Sequence, residues 1–396
     1  MKRGALPLLL LLLVAACARS SRIGNVAPST DPLSLAAPYL DSMVVLDSAS
    51  PGAVVGISVH GRHYFHAAGQ LGANDPRAPD SSSIYDLASL TKVIGLTTAM
   101  MIAVDEHRIE LDAPIQRYVP AFQGKNKEQV TVRHLLTHSS GLPAWRALYR
   151  QASSRAEAYA LADTTPLDTL PGTRFVYSDL GAIVLAQAIE SVYHERLDSL
   201  LHRRLFAPLG MEDTRYLPPD CWLPRIAPTE NDPWRGRTLR GEVHDENAAR
   251  LDGVSGHAGL FSSARDLLRF GDWLLEGLGS HDTSATYLWP PPPTSERRFV
   301  IRQDIPHGSS RALGWDTPSG LSSGGKWISR EHSFGHTGFT GTSIWIDPTR
   351  DLVIVLLSNR VNPTRNNDRW GPVRRNVADR VVESVDGRRS TVDSRP

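Results

Sequence analysis

The sequence predicts an α/β fold of the α+β kind: an antiparallel sheet flanked by helices, built from both chain ends, with an inserted all-α lobe. Three observations predict it. Near the start, Gly52-Ala-Val-Val-Gly-Ile-Ser-Val59 and His63-Tyr-Phe-His-Ala67 read as two strands around a tight turn at Gly61. Near the end, two β-rich runs within Gly341 to Asn359 flank an Asp347-Pro-Thr-Arg-Asp351 turn. Between them, from about 110 to 285, the pattern is helix and loop with glycine and proline as punctuation.

Taken in order, Met1-Lys-Arg and the apolar run Ala5 to Ala16 form a positively charged start and a hydrophobic stretch too short to span a bilayer as a mature helix. Residues 1–16 therefore read as an export signal. It ends in Val14-Ala-Ala-Cys17, which resembles the lipobox of bacterial lipoproteins, with Cys17 as the acylated residue and 17–34 as a tether. The expected location is the bacterial cell envelope, membrane-anchored and facing the periplasm; the alternative is a secreted protein with a cysteine nearby by chance. Lipidation of Cys17 leaves Cys221 alone, so no intramolecular disulfide is expected.

The mature region, 35–385, opens with helical spacing over Leu35 to Asp47. From Ser89 to about Glu106 the chain is apolar nearly all round, which implies a buried helix with Ser89 at its N-terminus. Helices follow over Val130–Thr137, Ala156–Ala162, Asp179–Val192 and Leu197–Leu205; strand character returns at Ser333–His336, and Trp370–Val385 reads as a closing helix. Residues 386–396 read as a disordered tail. The 396 residues, 41% of them hydrophobic, can bury a substantial core. A net charge of +1 with well-mixed signs offers no basic face, which excludes nucleic acid as an expected partner.

The chemistry begins with a bias. Five lysines stand against 38 arginines, and Lys92 lies three residues after Ser89 in Tyr85-Asp-Leu-Ala-Ser-Leu-Thr-Lys92. A lysine amine can be pushed toward neutrality and act as a base, whereas arginine cannot. Ser-x-x-Lys alone is weak, because 37 serines and five lysines produce about 0.5 chance matches in this length. A second copy, Ser323-Gly-Gly-Lys326, carries two glycines that disfavour a helical turn and reads as a solvated loop. At Ser89 the helix sets positions i and i+3 side by side, and its N-terminus offers free N–H groups to an oxyanion. That geometry suits an activated serine nucleophile.

With these residues in view, the chain resembles the serine β-lactamase and penicillin-binding protein superfamily, in its class C and D-alanyl-D-alanine peptidase branch. Four segments match in order: Tyr85–Lys92, Thr131-Val-Arg-His-Leu-Leu-Thr-His-Ser-Ser-Gly-Leu-Pro143, Pro171 through Tyr177-Ser-Asp179, and His336-Thr-Gly338. The resemblance implies a β-lactamase/transpeptidase-like fold over 35–385 and a serine hydrolase that forms an acyl-enzyme on amide or ester bonds of peptidoglycan-derived peptides. It also implies roles: Ser89 attacks, Lys92 takes or relays the proton, and Tyr177 serves as general base and then acid toward the leaving group. Thr337 and Gly338 line the substrate, and the amides of Ser89 and Phe339 form the oxyanion hole. No cofactor or metal is implied; His332 and His336 fall on a strand with no ligand constellation.

Two departures stand out. Asp179 replaces the asparagine of the family's tyrosine motif, putting an acceptor-only carboxylate where an amide would donate to substrate. His336 replaces lysine, giving a charge switchable near neutral pH that would grip a substrate carboxylate less firmly. A further stretch, Gly241 to Phe261, resembles a subgroup of the family and offers Asn247 and His257 as candidate substrate contacts; the alternative is a loop whose histidines satisfy local hydrogen bonds. Two other functional readings stay open at this level: a promiscuous carboxylesterase, and a non-catalytic muropeptide-binding protein.

Overall fold

The computed structural model describes residues 31–279, 292–320 and 322–387. The signal segment, Cys17, most of the tether and the tail beyond 387 lie outside the described residues. Five antiparallel strands form the main sheet: β1 (Gly52–Val59), β2 (Arg62–Gly69), β8 (Phe334–Thr337), β9 (Ser343–Asp347) and β10 (Leu352–Ser358), in the order β2-β1-β10-β9-β8. Both chain ends thus meet at one seam, where β1 pairs with β10 from Ala53↔Ser358 to Val59↔Leu352. Short strands β3 (Ile84–Asp86), β4 (Arg215–Tyr216) and β7 (Leu260–Ser263) make a second sheet, and β5 (Asn231–Asp232) pairs with β6 (Arg237–Thr238).

Period-two alternation explains why β1 and β10 are apolar at almost every position: both faces are covered. Ala53, Val55, Ile57, Leu352, Ile354 and Leu356 face one core, shared with α1 (Ala36–Asp41) and α11 (Trp370–Val385). Val54, Val353, Val355 and Leu357 face the other, which continues into the helical lobe. That lobe holds α2 (Thr98–Asp105), α3 (Val132–Leu136), α4 (Leu148–Gln151), α5 (Arg155–Thr164), α6 (Asp179–Tyr193), α7 (Leu197–Leu201) and α8 (Glu246–Arg250).

One element departs from the expected lobe of about 110–285. Helix α9 (Ala264–Gly277) packs on the main sheet instead. Gly271 permits it: a Cβ there would lie 2.5 Å from Val353, so only glycine lets the helix approach β10 this closely. A short helix, α10 (Glu296–Val300), precedes the return to β8.

Candidate active site

Ser89 sits on a 3₁₀ turn, Ala88–Leu90, where β3 runs into the buried helical segment that ends with α2. Ala88 has φ +46°, a left-handed conformation costly for an alanine and held by its surroundings. The carboxylate of Asp86 supplies the hold. One of its oxygens accepts the Ala88 N–H at 2.8 Å and the other the His244 N–H at 2.7 Å. From the opposite side, Thr340 Oγ1 donates to the Asp86 carbonyl at 2.7 Å and Thr342 Oγ1 to the Leu87 carbonyl at 3.0 Å. The turn that carries Ser89 is therefore bolted to the β8–β9 connection. Gly338 lies at the contact, where a Cβ would stand 2.3 Å from the Leu87 carbonyl oxygen and 2.1 Å from Thr342 Oγ1.

Lys92 is buried one helical turn after Ser89, and its Nζ has three acceptors: Ser89 Oγ at 3.1 Å, the His257 carbonyl at 3.0 Å and Asp179 Oδ1 at 2.7 Å. Two of these contacts are hydrogen bonds and the third is an ion pair, surroundings that suit an ammonium rather than a neutral amine. Burial pushes the amine down, but the negative charge of Asp179 and the nearby Tyr177 oxygen outweigh it and hold it well above the ordinary lysine value. The expectation of a lysine eased toward neutrality is corrected here: Asp179 keeps it charged. The same contact corrects the reading of Asp179 as a substrate-contact residue, because its carboxylate is engaged as the counter-ion of Lys92.

Tyr177 leads into α6, whose first turn is capped by Ser178 Oγ accepting from the Gly181 N–H. Its ring lies 5.0 Å from Lys92 Nζ and 4.5 Å from the His138 ring. His138 belongs to the Thr131–Pro143 segment, where Thr131 and His134 form a reciprocal capping box that starts α3. With φ +55°, His138 turns back so that Nδ1 accepts the Ser178 N–H at 3.1 Å and its carbonyl accepts the Val176 N–H at 2.9 Å. It braces the tyrosine from behind. The Tyr177 hydroxyl itself is buried without a hydrogen-bond partner.

His336, on β8, donates from Nδ1 to the Thr337 carbonyl at 2.8 Å, which leaves Nε2 as a buried acceptor without a partner. Burial, then the cations Arg311 and Lys92, hold this imidazole well below its ordinary value. The charge expected to switch near neutral pH is thus suppressed, and His336 is a neutral group that can only accept at Nε2. His138 is held neutral in the same way, by burial first and then by Arg311 and Lys92.

Ser89, Tyr177, His336, Thr337, Gly338 and Phe339 line one pocket of about 340 Å³ together with Asp316, Arg311, Arg360 and Arg374. The three arginines were not legible as site residues in a chain with 38 of them. Arg311 packs 5.4 Å from the Tyr177 ring and lies 3.7 Å from Asp316, with Nη1 buried and unpaired. Arg360 donates to the Phe339 carbonyl at 2.8 Å and covers the Phe339 ring at 4.6 Å. Arg374, reaching in from α11, donates to the Gly338 carbonyl at 2.5 Å while its Nε is buried and unpaired. Burial, reinforced by Arg360, pushes Arg374 down to about 9.

Two candidate contacts prove structural. Asn247 is buried and uses both ends of its amide, accepting the Tyr149 N–H at 3.0 Å and donating to the Arg146 carbonyl at 2.8 Å. The His257 ring is buried between Ser255 Oγ at 2.7 Å and Asp245 Oδ1 at 2.8 Å, and only its backbone carbonyl reaches the site, on Lys92. His244 stacks under Phe339 at 5.8 Å and bonds Glu230 at 2.9 Å. The Gly241–Phe261 stretch therefore supports the site rather than lining it. The second serine–lysine pair is a loop: Gly325 has φ +80°, Ser323 Oγ accepts from Trp345 Nε1 and Lys326 lies over Trp327.

A family model described as Beta-lactamase matches residues 36–379. The chain is 30% identical over 367 residues to an N-acetylmuramyl-L-alanine amidase of Bacillus subtilis, covering 81% of this chain and 80% of that protein. Among solved structures it is similar to a beta-lactamase/D-alanine carboxypeptidase from Pseudomonas syringae, with TM-score 0.69 and 19% identity over 89% of this chain and 98% of the other. A class C beta-lactamase from Rhodobacter sphaeroides gives TM-score 0.67 and 21% identity over 88% and 98%. At these identities the structures speak for a shared fold.

Proposed function

This chain belongs to the beta-lactamase family of serine hydrolases, and from that premise we propose that it cleaves an amide bond of anionic, peptidoglycan-derived peptides through an acyl-enzyme on Ser89. The observation that carries the substrate class is the pocket beside Ser89. Three guanidiniums, Arg311, Arg360 and Arg374, line it against a single carboxylate, Asp316, and two of them keep a buried N–H unpaired. Buried unpaired donors are costly unless a ligand satisfies them, and a carboxylate-bearing peptide does so with charge-assisted bonds. The relative named N-acetylmuramyl-L-alanine amidase supports the same class.

In this reading Lys92, held as an ammonium, orients Ser89 Oγ and places positive charge beside Tyr177. Tyr177, reacting as the phenolate, takes the serine proton as Oγ attacks the scissile carbonyl. The amides of Ser89 and Phe339 receive the oxyanion, and the bolted contact between their two loops fixes their separation. Collapse breaks the C–N bond, and Tyr177 returns the proton to the departing amine. Water then resolves the ester, with Tyr177 again as base. The neutral His336 leaves the substrate's carboxylate to the arginines.

The test is intact-protein mass spectrometry after incubation with a fluorescent penicillin, with Ser89→Ala as control. A Ser89-dependent adduct is expected; no adduct with either penicillin or an activated ester would overturn the hydrolase mechanism in favour of a binding protein. We also propose that Cys17 is lipidated and tethers the protein to the membrane on its periplasmic side. Cys17→Ser should move the protein to the soluble fraction, and unchanged fractionation would remove that claim.

A further inference from the structure

A cluster of aromatic rings stands at the edge of the catalytic cleft, and the mechanism makes no use of it. Trp145 is 47% exposed and Trp234 is 41% exposed, high values for so large an apolar side chain. Tyr149, on α4, is buried between them, with ring centroids 6.4 Å from Trp145 and 4.8 Å from Trp234. Guanidiniums ring the group: Arg150 lies 5.5 Å from Tyr149, and Arg235 and Arg250 lie 5.3 and 5.7 Å from Trp234. Among the described residues, neither indole N–H has a hydrogen-bond partner.

The platform is built rigidly onto the catalytic residues. The Asp179 N–H donates to the Ala144 carbonyl at 2.9 Å and Ser178 Oγ to the Pro143 carbonyl at 2.7 Å, so the residues immediately before Trp145 are fastened to the turn that follows Tyr177. Asn247 then clamps Arg146 and Tyr149 through both ends of its amide. The platform therefore belongs to the helical-lobe wall of the cleft, next to the Lys92–Asp179 pair. The arginine-lined pocket belongs to the wall made by β8 and α11.

The exposed parts of Trp145 and Trp234 and their free indole N–H groups suit a ring with an apolar C–H face and a rim of acceptors. A pyranose has both: its axial C–H bonds stack on the aromatic face, and its hydroxyl and acetamido oxygens accept from N–H donors. We propose that Trp145, Tyr149 and Trp234 form a subsite for an N-acetylated aminosugar of the substrate, on the acyl side of the scissile amide. The inference rests on the muropeptide reading above and deepens it: sugar on the helical-lobe wall, anionic peptide in the arginine pocket, and the amide between them over Ser89.

The test is isothermal titration of Ser89→Ala protein with the peptide-free disaccharide of N-acetylglucosamine and N-acetylmuramic acid. Saturable binding is expected, weakened about twofold to tenfold in each of Trp145→Ala and Trp234→Ala, the range for loss of one aromatic stacking contact. Denaturation midpoints of the two variants establish that the fold is intact. No saturable binding, or an affinity that neither substitution changes, overturns the subsite. Penicillin acylation reads the hydrolase mechanism separately, so failure of one conclusion is distinguishable from failure of the other.

Discussion

Replacing Asp179 by asparagine removes the charge that keeps Lys92 an ammonium while preserving shape. At 2.7 Å, with an effective dielectric near 20, the Coulomb attraction is about 6 kcal/mol before the cost of taking both ions out of water. Removing one partner of a buried pair costs about 3–5 kcal/mol net. Here Asp179 keeps 21% of its side chain exposed and Nζ keeps two neutral acceptors, so the low end applies, about 3 kcal/mol. The pH dependence has a definite sign. In the parent protein the amine is raised, so its contribution is complete below the unfolded-chain value of roughly 10.4 and declines only as pH rises beyond that. In Asp179→Asn the downward push of burial is no longer outweighed, so the penalty is full at neutral pH and eases as pH rises toward roughly 10.4. Urea denaturation of both proteins at pH 6, 8 and 10 should show a gap largest at pH 6 and shrinking by pH 10. A gap below about 1 kcal/mol at pH 6, or one equal at pH 6 and 10, would refute the account of Lys92 as a cation held by Asp179.

Three further outcomes are expected. Tyr177→Phe deletes a buried hydroxyl that has no partner, so the denaturation midpoint should stay level or rise slightly, while acylation measured by mass spectrometry falls about 10²–10⁴-fold. Gly338→Ala forces a methyl against the Leu87 carbonyl and Thr342 Oγ1, and should cost about 1–3 kcal/mol of stability together with most of the acylation rate, because the Ser89 and Phe339 amides of the proposed oxyanion hole are pushed apart. Asn247→Ala should lower stability by about 2–3 kcal/mol, as the Tyr149 N–H and Arg146 carbonyl lose their partner; a loss under about 0.5 kcal/mol would contradict the clamp.

The secondary structure was legible because its signals are local. The closing helix runs over Trp370–Val385 as its periodicity indicates, and the terminal strands meet in one sheet because each is apolar on both faces and neither can be buried alone. Helix α9 escaped notice, since its docking on the sheet depends on Gly271 meeting Val353, a contact between residues far apart in the chain. The Ser89–Lys92 juxtaposition was equally local, one turn of helix bringing i and i+3 together.

What the sequence determined by itself is the set of candidate reactive groups and the elements that carry them: Ser89, Lys92, Tyr177 and His336, each within a short motif of its own. Their protonation was decided only in three dimensions. Whether Lys92 is an amine or an ammonium depends on Asp179, which arrives from another helix; whether His336 switches depends on burial beside Arg311 and Lys92. Likewise, 38 arginines are alike in one dimension, and only the fold selects Arg311, Arg360 and Arg374 to face the pocket. The physical reason is that helix and strand arise from neighbours along the chain, whereas charge state and specificity arise from the dielectric and the partners that packing brings within a few ångströms.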